Sequence, residues 1–339
     1  MGVTIKDVAK KTGLSITTVS LVLNKKQSRI PEKTRQIVES AAQELNYSPN
    51  HAAISLATKR SGTGTIALVL PEESHYRPAD LLIPAEHACR NSGYAVLLKL
   101  VEGDDESTLD SIGSLVRSGV GGVIFDPSKL HPHSVGDYMK LLEQGETPIV
   151  SLGGVGAHIL PNSIVADHRR GGYLAAMHLL ELGHRRIGCI AGPEDSGVSR
   201  ELQNGYRDAL EEKGADGEYL HEFVGAHSSQ KSEEGMKRLL ARGVTAVLSG
   251  SLHLTNGIYR YAYRNGLSIP DDLSVVGYGD SDQAADLIVP LTAVSLHLDR
   301  FARKAVALVK RLGERDTPAA PEILSSSLVV RGSTGPAPR

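Results

Sequence analysis

The stretch that decides the fold is TIKDVAKKTGLSITTVSLVLN, residues 4–24. Thr4 is a hydroxyl N-cap residue and Asp7 stands three positions later, which is the capping-box pattern at the start of a helix. Gly13 can adopt a positive φ and end this helix, and Ser15 offers a second N-cap at which another helix begins. Two short helices joined by a tight turn at a glycine form the helix-turn-helix pattern.

The second of these helices carries small side chains on its outward surface. Val19, Val22 and Leu23 fall on one side at helical spacing, which predicts a buried face. Small hydroxyl and amide side chains can reach base edges or phosphates of DNA without keeping the helix out of the groove. An ordinary capped helical hairpin has the same pattern. The residues left to face outward are Ile16, Thr17, Ser20, Leu21 and Asn24.

The residues that follow favour DNA binding over an ordinary hairpin. Pro31-Glu32 begins a third helix, which ends before Pro49 and completes a three-helix unit. Residues 50–57 then favour a helix of about two turns. So short a helix is unstable alone in water, so it should order only against a duplex and the same segment of a second subunit. The apolar residues at helical spacing in the third helix are Ile37, Val38, Ala41, Ala42 and Leu45.

The charge of the chain is separated by sign. Residues 1–62 contain ten Lys and Arg against four Asp and Glu, a balance of +6, whereas the rest contains 27 against 35, a balance of −8. A basic part joined to an acidic body suits a polyanion-binding protein whose body must not bind DNA as well. A solvated basic surface would give the same balance, but it does not account for residues 50–62.

These residues resemble the LacI/GalR family of bacterial transcription regulators over nearly the whole chain. The resemblance implies a dimeric repressor that binds a pseudo-palindromic operator, with a helix-turn-helix domain at 1–49, a hinge at 50–64 and a two-lobed core at 65–339. The matching stretches are TIKDVAKKTGLSITTVSLVLN, the TR of PEKTRQIVESAAQELNYSPN, SLATKRSG, HLLELGHRRIGCIAGP, LSVVGYGDSD, PLTAVSL and LVVRGST.

The resemblance also implies which residues contact DNA. Leu56 matches the hinge leucine that the family inserts into a central base step from the minor groove. Leu21 and Ile54 stand where the family usually has arginine, so the operator is expected to differ from the family's common palindrome. The candidate DNA-binding residues are Thr4, Ser15, Ile16, Thr17, Thr18, Ser20, Asn24, Arg29, Lys33, Thr34, Tyr47, Asn50, Ala53 and Leu56.

From Thr65 onward, apolar runs alternate with amphipathic helices. Continuous Val/Ile/Leu runs separated by helices predict parallel strands covered on both faces, and two successive series predict two Rossmann-like α/β lobes. The first series is TIALVL, YAVLLKL, VGGVIF and PIVSL, with helices near 78–92, 105–118 and 136–145. The second is NSIVAD, RIGCIA, YLHEFV, TAVLS and LSVVGY, with helices near 170–182, 199–214, 229–242 and 251–266. The resemblance adds a periplasmic-binding-protein-like core in which part of the carboxyl terminus returns to the first lobe.

The cleft between the lobes is the expected site of a small-molecule effector, because ligands bind at the carboxyl ends of parallel strands. Leu202 replaces the family's effector-clamping arginine, with Arg200 nearby, and Gly279 replaces an effector aspartate. The effector is therefore expected to be less polar, or a protein partner or the protein's abundance controls the regulator instead. The candidate effector-binding residues are His75, Tyr76, Asp167, His168, Arg200, Ser251 and Asp280.

Signs of other functions are weak. Gly153–Gly156 runs into His158 rather than a helix, so it lacks the context of a phosphate-binding loop, and His131-Pro132-His133 is interpreted as a solvated pair. Cys89 and Cys189 are expected to be small core residues in a reducing compartment. Without a membrane span or signal peptide, a cytoplasmic protein is expected, with no metal, cofactor or enzymatic activity. The lack of a heptad run after residue 313 favours a dimer over a tetramer.

Overall fold

The chain divides into two compact units, residues 1–63 and 64–339, in a computed structural model. Most of the predicted hinge, residues 50–63, lies outside the described residues. The described residues are 3–23, 30–45, 47, 64–72, 78–102, 105–128, 130–144, 146–154, 159–194, 196–214, 220–223, 228–314 and 318–338.

The described part of the first unit is helical, as predicted. Its helices are α1 (Ile5–Thr12), α2 (Ile16–Leu23) and α3 (Glu32–Glu44). Val8, Val19, Val22 and Val38 are at most 1% exposed and form the centre of their common core. Ile37 recurs at helical spacing with the buried residues of α3, but it lies at the edge of that face and is 46% exposed.

The predicted start and end of α1 are confirmed. The backbone N–H of Thr4 donates to Asp7 Oδ2 at 2.8 Å, and the Thr4 hydroxyl donates to the same oxygen at 2.7 Å. These hydrogen bonds hold the pKa of Asp7 below its ordinary value. Gly13 ends the helix with φ 69°, a backbone conformation that side chains with a Cβ rarely adopt.

The second unit alternates strands and helices. Its strands are β1 (Thr65–Pro71), β2 (Ala95–Val101), β3 (Gly122–Phe125), β4 (Ile149–Leu152), β5 (Ser163–Ala166), β6 (Ile187–Ala191), β7 (Leu220–Phe223), β8 (Ala246–Ser249), β9 (Ser274–Tyr278), β10 (Thr292–Ser295), β11 (Glu322–Leu324) and β12 (Ser327–Val329). Its α-helices are α4 (Pro78–Asn91), α5 (Asp105–Arg117), α6 (Val135–Gln144), α7 (His168–Glu181), α8 (Gly197–Glu212), α9 (Ser229–Ala241), α10 (Leu252–Arg264), α11 (Asp282–Ala285) and α12 (Leu298–Gly313).

These strands form two six-stranded sheets, which confirms the predicted two lobes. The first sheet has the order β11-β5-β4-β3-β1-β2, and the second has the order β12-β10-β9-β8-β6-β7. The pairs are parallel except that β12 runs antiparallel to β10. Helix α12 packs against α4, β3 and β4, so the chain returns to the first sheet after completing most of the second.

One strand was assigned to the wrong lobe. NSIVAD was predicted to begin the second series, but β5 pairs with β4 and β11 in the first sheet. The alternation of strands and helices identifies β5 as a strand but contains no information on its neighbours, because pairing depends on where the chain crosses. The crossing follows β5, at Asp167 and the start of α7.

The two cysteines lie in the hydrophobic core of the second unit. Cys89 and Cys189 are both buried, as predicted, and burial raises the pKa of their thiols to about 11 and about 12. Across the described ranges, no helix is both long enough and apolar enough to span a membrane.

Candidate DNA-reading face and ligand cavity

The outward surface of α2 lies opposite its buried side. Val19 and Val22 face the core, and a helix has 3.6 residues per turn, so positions 16, 20, 17 and 21 follow one another around an arc of about 140° outside that buried side, with 16 and 21 at its edges. We call these four residues, Ile16, Thr17, Ser20 and Leu21, the reading face. Ile16 and Thr17 are exposed, whereas Ser20 and Leu21 are partly buried.

Two predicted DNA contacts form the N-cap of this helix. The Ser15 hydroxyl accepts a hydrogen bond from the backbone N–H of Thr18 at 3.1 Å. The Ser15 and Thr18 hydroxyls are themselves 2.9 Å apart. The N-terminal turn of α2 is therefore fixed by its own side chains, and the direction of Ile16 and Thr17 is fixed with it.

The other predicted DNA contacts in the described residues lie around the three-helix core. Lys33 is exposed in the first turn of α3, and the Thr34 N–H donates to the Pro31 carbonyl at 2.9 Å. Tyr47 packs against the core. Lys11 and Glu44 form an ion pair of 2.6 Å that joins α1 to α3. The predicted contacts Asn24, Arg29, Asn50, Ala53 and Leu56 lie outside the described residues.

A cavity of about 460 Å³ lies within the second unit. Strand ends and loops of the first sheet form one wall, which includes Asp126, Ser128, His131 and Gly153. The crossing residues Asp167 and His168 and the start of α8 form the other wall. Apolar side chains complete the lining: Leu130, Leu152, Ile159, Val165, Val198 and Ile323.

Two glycines bring the helices of the second wall close together. A Cβ on Gly172 of α7 would lie 2.0 Å from the carbonyl oxygen of Leu202, and a Cβ on Gly205 of α8 would lie 1.8 Å from that of Arg169. Any side chain at either position would overlap backbone atoms. Since α7 and α8 cross here, their N-terminal turns both reach the cavity. Leu202, at the position of the family's arginine, is buried in the core instead.

The N-terminal turns of α7 and α8 are capped by their own side chains. Asp167 Oδ1 accepts from the Arg170 N–H at 2.8 Å, and the Ser196 hydroxyl accepts from the Ser199 N–H at 3.4 Å. Arg169 forms a two-point ion pair with Asp208, at 2.6 and 2.8 Å. Arg200 Nη1 lies 3.5 Å from the Glu194 carbonyl.

The first wall contains a buried carboxylate and a hydroxyl without a hydrogen-bond partner. Asp126 directly follows β3, is 2% exposed and accepts from the Ser128 N–H at 2.8 Å. The Ser128 hydroxyl oxygen is buried and has no hydrogen-bond partner among the described residues. Leaving such a group unsatisfied costs about 1–3 kcal/mol. A polar ligand in the cavity would satisfy it.

His168 connects the crossing segment to the second sheet. Its Nδ1 is hydrogen-bonded to the hydroxyl of Tyr278, a residue of β9 that is 1% exposed. Burial lowers the pKa of His168 to about 4, although the Asp167 carboxylate partly opposes this shift. The imidazole is therefore neutral at pH 7. Burial also raises the pKa of the Tyr278 hydroxyl well above 10.

The structure brings only some of the predicted effector residues together. Asp167, His168 and Arg200 line the cavity. Ser251 is fully buried and caps α10 by accepting from the Leu254 N–H at 3.3 Å, away from the lining. Asp280 is also absent from the lining and pairs with Arg331 at 2.9 Å. The predicted residues His75 and Tyr76 lie outside the described residues.

Sequence reasoning missed the first wall of the cavity. Asp126 follows a short apolar run, and a carboxylate at the carboxyl end of a parallel strand is a signal that could have identified it. His131 and His133 are both exposed, as the interpretation of a solvated pair expects, but His131 also lines the cavity and stacks on His133 with ring centroids 5.5 Å apart. Within the described ranges, no group of three or more His, Cys, Asp or Glu residues could hold a metal ion.

Two protein-family models match the chain. Residues 4–50 match the model described as bacterial regulatory proteins, lacI family. Residues 176–334 match the model described as a periplasmic binding protein-like domain. The first match covers the described helices of the first unit, and the second includes all six strands of the second sheet.

The chain is also similar to characterised proteins over its full length. It is 32% identical to the HTH-type transcriptional regulator DegA of Bacillus subtilis (strain 168), over 99% of each chain. It is 30% identical to the ribose operon repressor of Escherichia coli (strain K12), over 97% of this chain and 99% of that one. A crystal structure of the lac repressor dimer bound to operator and the anti-inducer ONPF superposes with a TM-score of 0.82 and 28% identity, over 99% of this chain and 100% of that one.

Proposed function

The chain belongs to the LacI family of bacterial regulatory proteins, and we propose that it represses transcription by binding a pseudo-palindromic operator as a homodimer. A small ligand in the cavity of the second unit modulates this binding. Regulation is by binding and involves no catalysis. Because bacterial operators lie on the chromosome, the protein acts in the cytoplasm.

The reading face is the observation that carries the DNA-binding part of the proposal. It is held on a capped helix by a compact three-helix core, in a part of the chain with a net charge of +6 over residues 1–62. Basic side chains attract the phosphates without regard to sequence, whereas a helix face in the major groove distinguishes base pairs. Different residues therefore attract the phosphates and distinguish the base pairs, so the two roles can be tested separately.

Salt dependence tests the role of Lys33, which is exposed at the start of α3. Binding selection from random duplexes first defines a preferred sequence. For Lys33→Ala, we expect the slope of log K against log salt to fall by about 1, because one phosphate contact is lost. Lys140→Ala is the matched control, since Lys140 is an exposed lysine of the second unit, paired with Asp137. A selection that returns no preferred sequence would contradict the proposal.

The outer edge of the first sheet supports the homodimer. Strand β2 is the last strand of that sheet, yet its Leu97, Leu98 and Leu100 are each 36–40% exposed. Successive residues of a strand point to opposite faces, so both faces of β2 are open in the single chain. Ile83 of α4, which packs near β2, is 60% exposed. Apolar edges of this kind are usually covered by a partner.

Sedimentation measurements test this dimer surface. We expect Leu98→Lys to shift the protein toward monomer and to weaken operator binding, because a charge would be buried at the edge. Ile288→Lys is the control, since Ile288 is 101% exposed elsewhere on the second unit. Unchanged dimerisation in Leu98→Lys would place the interface away from β2.

The cavity supports control by a small ligand. Its lining combines an apolar surface with the buried Asp126 carboxylate, the unsatisfied Ser128 hydroxyl and the Arg200 guanidinium. This arrangement, apolar with a few converging polar groups, is typical of small-molecule sites. It favours a ligand with a hydroxyl or amine head, which Asp126 and Ser128 could bind, and a partly apolar body.

A thermal-shift screen of metabolites separates ligand control from control by a protein partner. A true effector raises the melting temperature, changes operator affinity and loses both effects in Asp126→Asn. Asp137→Asn is the control, because Asp137 is an exposed carboxylate outside the cavity lining. A silent screen with intact operator binding would favour regulation by a partner or by abundance.

A further inference from the structure

We infer that α2 recognises thymine methyl groups in the operator through Ile16 and Leu21. This inference depends on the proposed DNA binding and identifies the base chemistry that the reading face selects. Ile16 is 46% exposed and Leu21 is partly exposed, and the two residues lie at opposite edges of the reading face. Ile37 is equally exposed, so exposure alone does not assign a role to Ile16. What distinguishes Ile16 is its place in the reading face, together with the other residues of α2.

The composition of α2 leaves few side chains that could identify a base by hydrogen bonding. Residues 16–23 read ITTVSLVL and contain no Arg, Lys, Asn, Gln, Asp or Glu. Bidentate hydrogen bonds to guanine need Arg or Lys, and those to adenine need Asn or Gln. The hydroxyls of Thr17 and Ser20 can bond to several bases, so they discriminate weakly. From these eight positions, hydrogen bonding alone specifies little.

Apolar contact supplies the discrimination that is missing. In the major groove, the C5 methyl of thymine is the apolar group that distinguishes an A·T pair, and aliphatic side chains contact it. Residues 16 and 21 lie five positions apart on α2, which is about 1.4 turns and about 7.5 Å along the helix axis, and their side chains point about 140° apart. They can therefore contact methyl groups on different base steps, while Thr17 and Ser20 between them remain close to polar base edges.

The surroundings of Ile16 favour DNA as its partner over an apolar protein surface. Ile16 and the partly buried Leu21 share the reading face with two hydroxyl residues, so the apolar area is small. Lys6, Lys10 and Lys33 are exposed on the same unit and favour a polyanion. Protein interfaces of useful affinity need a larger apolar centre. The groove of a duplex supplies both the phosphates and isolated methyl groups.

Replacing thymine by deoxyuridine tests the inference without altering the protein. The substitution removes only the methyl group and leaves every hydrogen-bonding atom of the base pair in place. The probe is a synthetic duplex with the sequence obtained by binding selection, carrying uracil at one thymine position at a time. At one or two positions in each half-site, we expect binding to weaken about three- to fivefold, as for one buried methyl group.

A matched pair of variants assigns the effect to α2. Ile16→Ala should bind the thymine duplex more weakly and should no longer distinguish thymine from uracil at its position. Ile37→Ala is the control, because Ile37 is also 46% exposed but lies on α3, outside the reading face. It should keep the full thymine preference. Because Ile16 and Ile37 are both exposed, neither change should unfold the unit, which circular dichroism can verify.

The results separate this inference from the proposed function. If uracil has no effect at any thymine while sequence-specific binding persists, methyl recognition is wrong and the repressor function stands. The inference also fails if Ile16→Ala and Leu21→Ala both retain the thymine preference. If selection yields no preferred sequence, both the proposed function and the inference are overturned. A further probe replaces a contacted thymine by cytosine, which lacks the methyl group. If 5-methylcytosine at that position binds more tightly than cytosine, the result would support the inference further.

Discussion

The reading face and the cavity are built in opposite ways. The four residues of the reading face lie within six consecutive positions of one helix, residues 16–21. The cavity is lined by residues from Asp126 to Ile323, contributed by strand ends, loops and the first turns of two helices. The first surface depends on local helical geometry, and the second depends on long-range packing. A substitution that destabilises one surface should therefore leave the fold of the other intact, although a bound ligand modulates operator binding.

The largest expected effect on stability comes from a substitution where α7 and α8 cross. Gly205→Ala places a Cβ 1.8 Å from the Arg169 carbonyl oxygen, a backbone atom that no side-chain rotation can move aside. We expect a loss of about 3 kcal/mol or more in the stability of the second unit, together with ligand binding. Denaturant unfolding measures the loss of stability. A spectroscopic probe in each unit is needed, since the two units need not unfold together.

Gly136→Ala makes the same chemical change in α6, where nothing lies within 4 Å of the new Cβ. It should leave stability unchanged or slightly raised, because alanine favours helices over glycine. Equal effects of the two substitutions would show that the close crossing does not determine the cavity.

The response to pH should differ between the two units. Burial lowers the pKa of His168 from 6.5 to about 4. Between these values the unfolded chain binds more protons, so the second unit loses stability as the pH falls through this window, by about 2–3 kcal/mol. His168→Gln should remove this part of the slope when urea midpoints are compared at pH 7 and pH 4.5.

Residues 1–50 contain no histidine, so helices α1 to α3 provide an internal control within the same molecule. Their unfolding midpoint should change little over this pH range. His178 and His184 also have lowered pKa values through burial, so the difference between wild type and His168→Gln is the quantity that assigns the effect. If the stability of wild type and of His168→Gln depended on pH with the same slope, the assignment of this effect to His168 would be wrong.

Removing core volume tests the first unit. Val19 is fully buried among the three helices, so Val19→Ala should cost about 2 kcal/mol and weaken DNA binding by unfolding the unit. Val3→Ala is the control because Val3 is 42% exposed. The midpoint of the second unit should be the same in both variants. Loss of ligand binding in Val19→Ala would show that the two surfaces are not independent.

The N-cap of α1 gives the smallest expected effect. Thr4→Ala removes the hydroxyl that bonds to Asp7, which should cost about 1 kcal/mol in the first unit. Thr17→Ala changes an exposed hydroxyl on the reading face, so it should weaken duplex binding with little change in stability. Calorimetry measures the stability of both variants, and duplex titration measures their DNA affinity. Together they distinguish a threonine that stabilises the fold from one that contacts DNA. If Thr17→Ala lowers stability as much as Thr4→Ala does, this distinction fails.

Local patterns in the sequence predicted the elements but not their neighbours. Thr4, Asp7 and Gly13 identified the start and end of α1, because capping involves residues only a few positions apart. The strand NSIVAD was recognised and then placed in the wrong sheet, since pairing with β4 and β11 joins distant parts of the chain. Asp126 was missed for the same reason. Its place in the cavity depends on a wall formed by residues about 40 to 200 positions away.

The amino-acid sequence alone was enough to predict the three-helix unit, the composition of its reading face, the separation of charge and the α/β alternation of the second unit. Each of these follows from residue spacing and side-chain chemistry within a few helical turns or strand lengths. Three features became known from the folded chain: β5 joins the first sheet, Asp126 lines the cavity, and Asp280 pairs with Arg331 outside the cavity lining. These three features depend on packing between distant parts of the chain, such as the close crossing of α7 and α8 at their glycines. The spacing of residues within one helix or strand does not determine which distant residues come into contact.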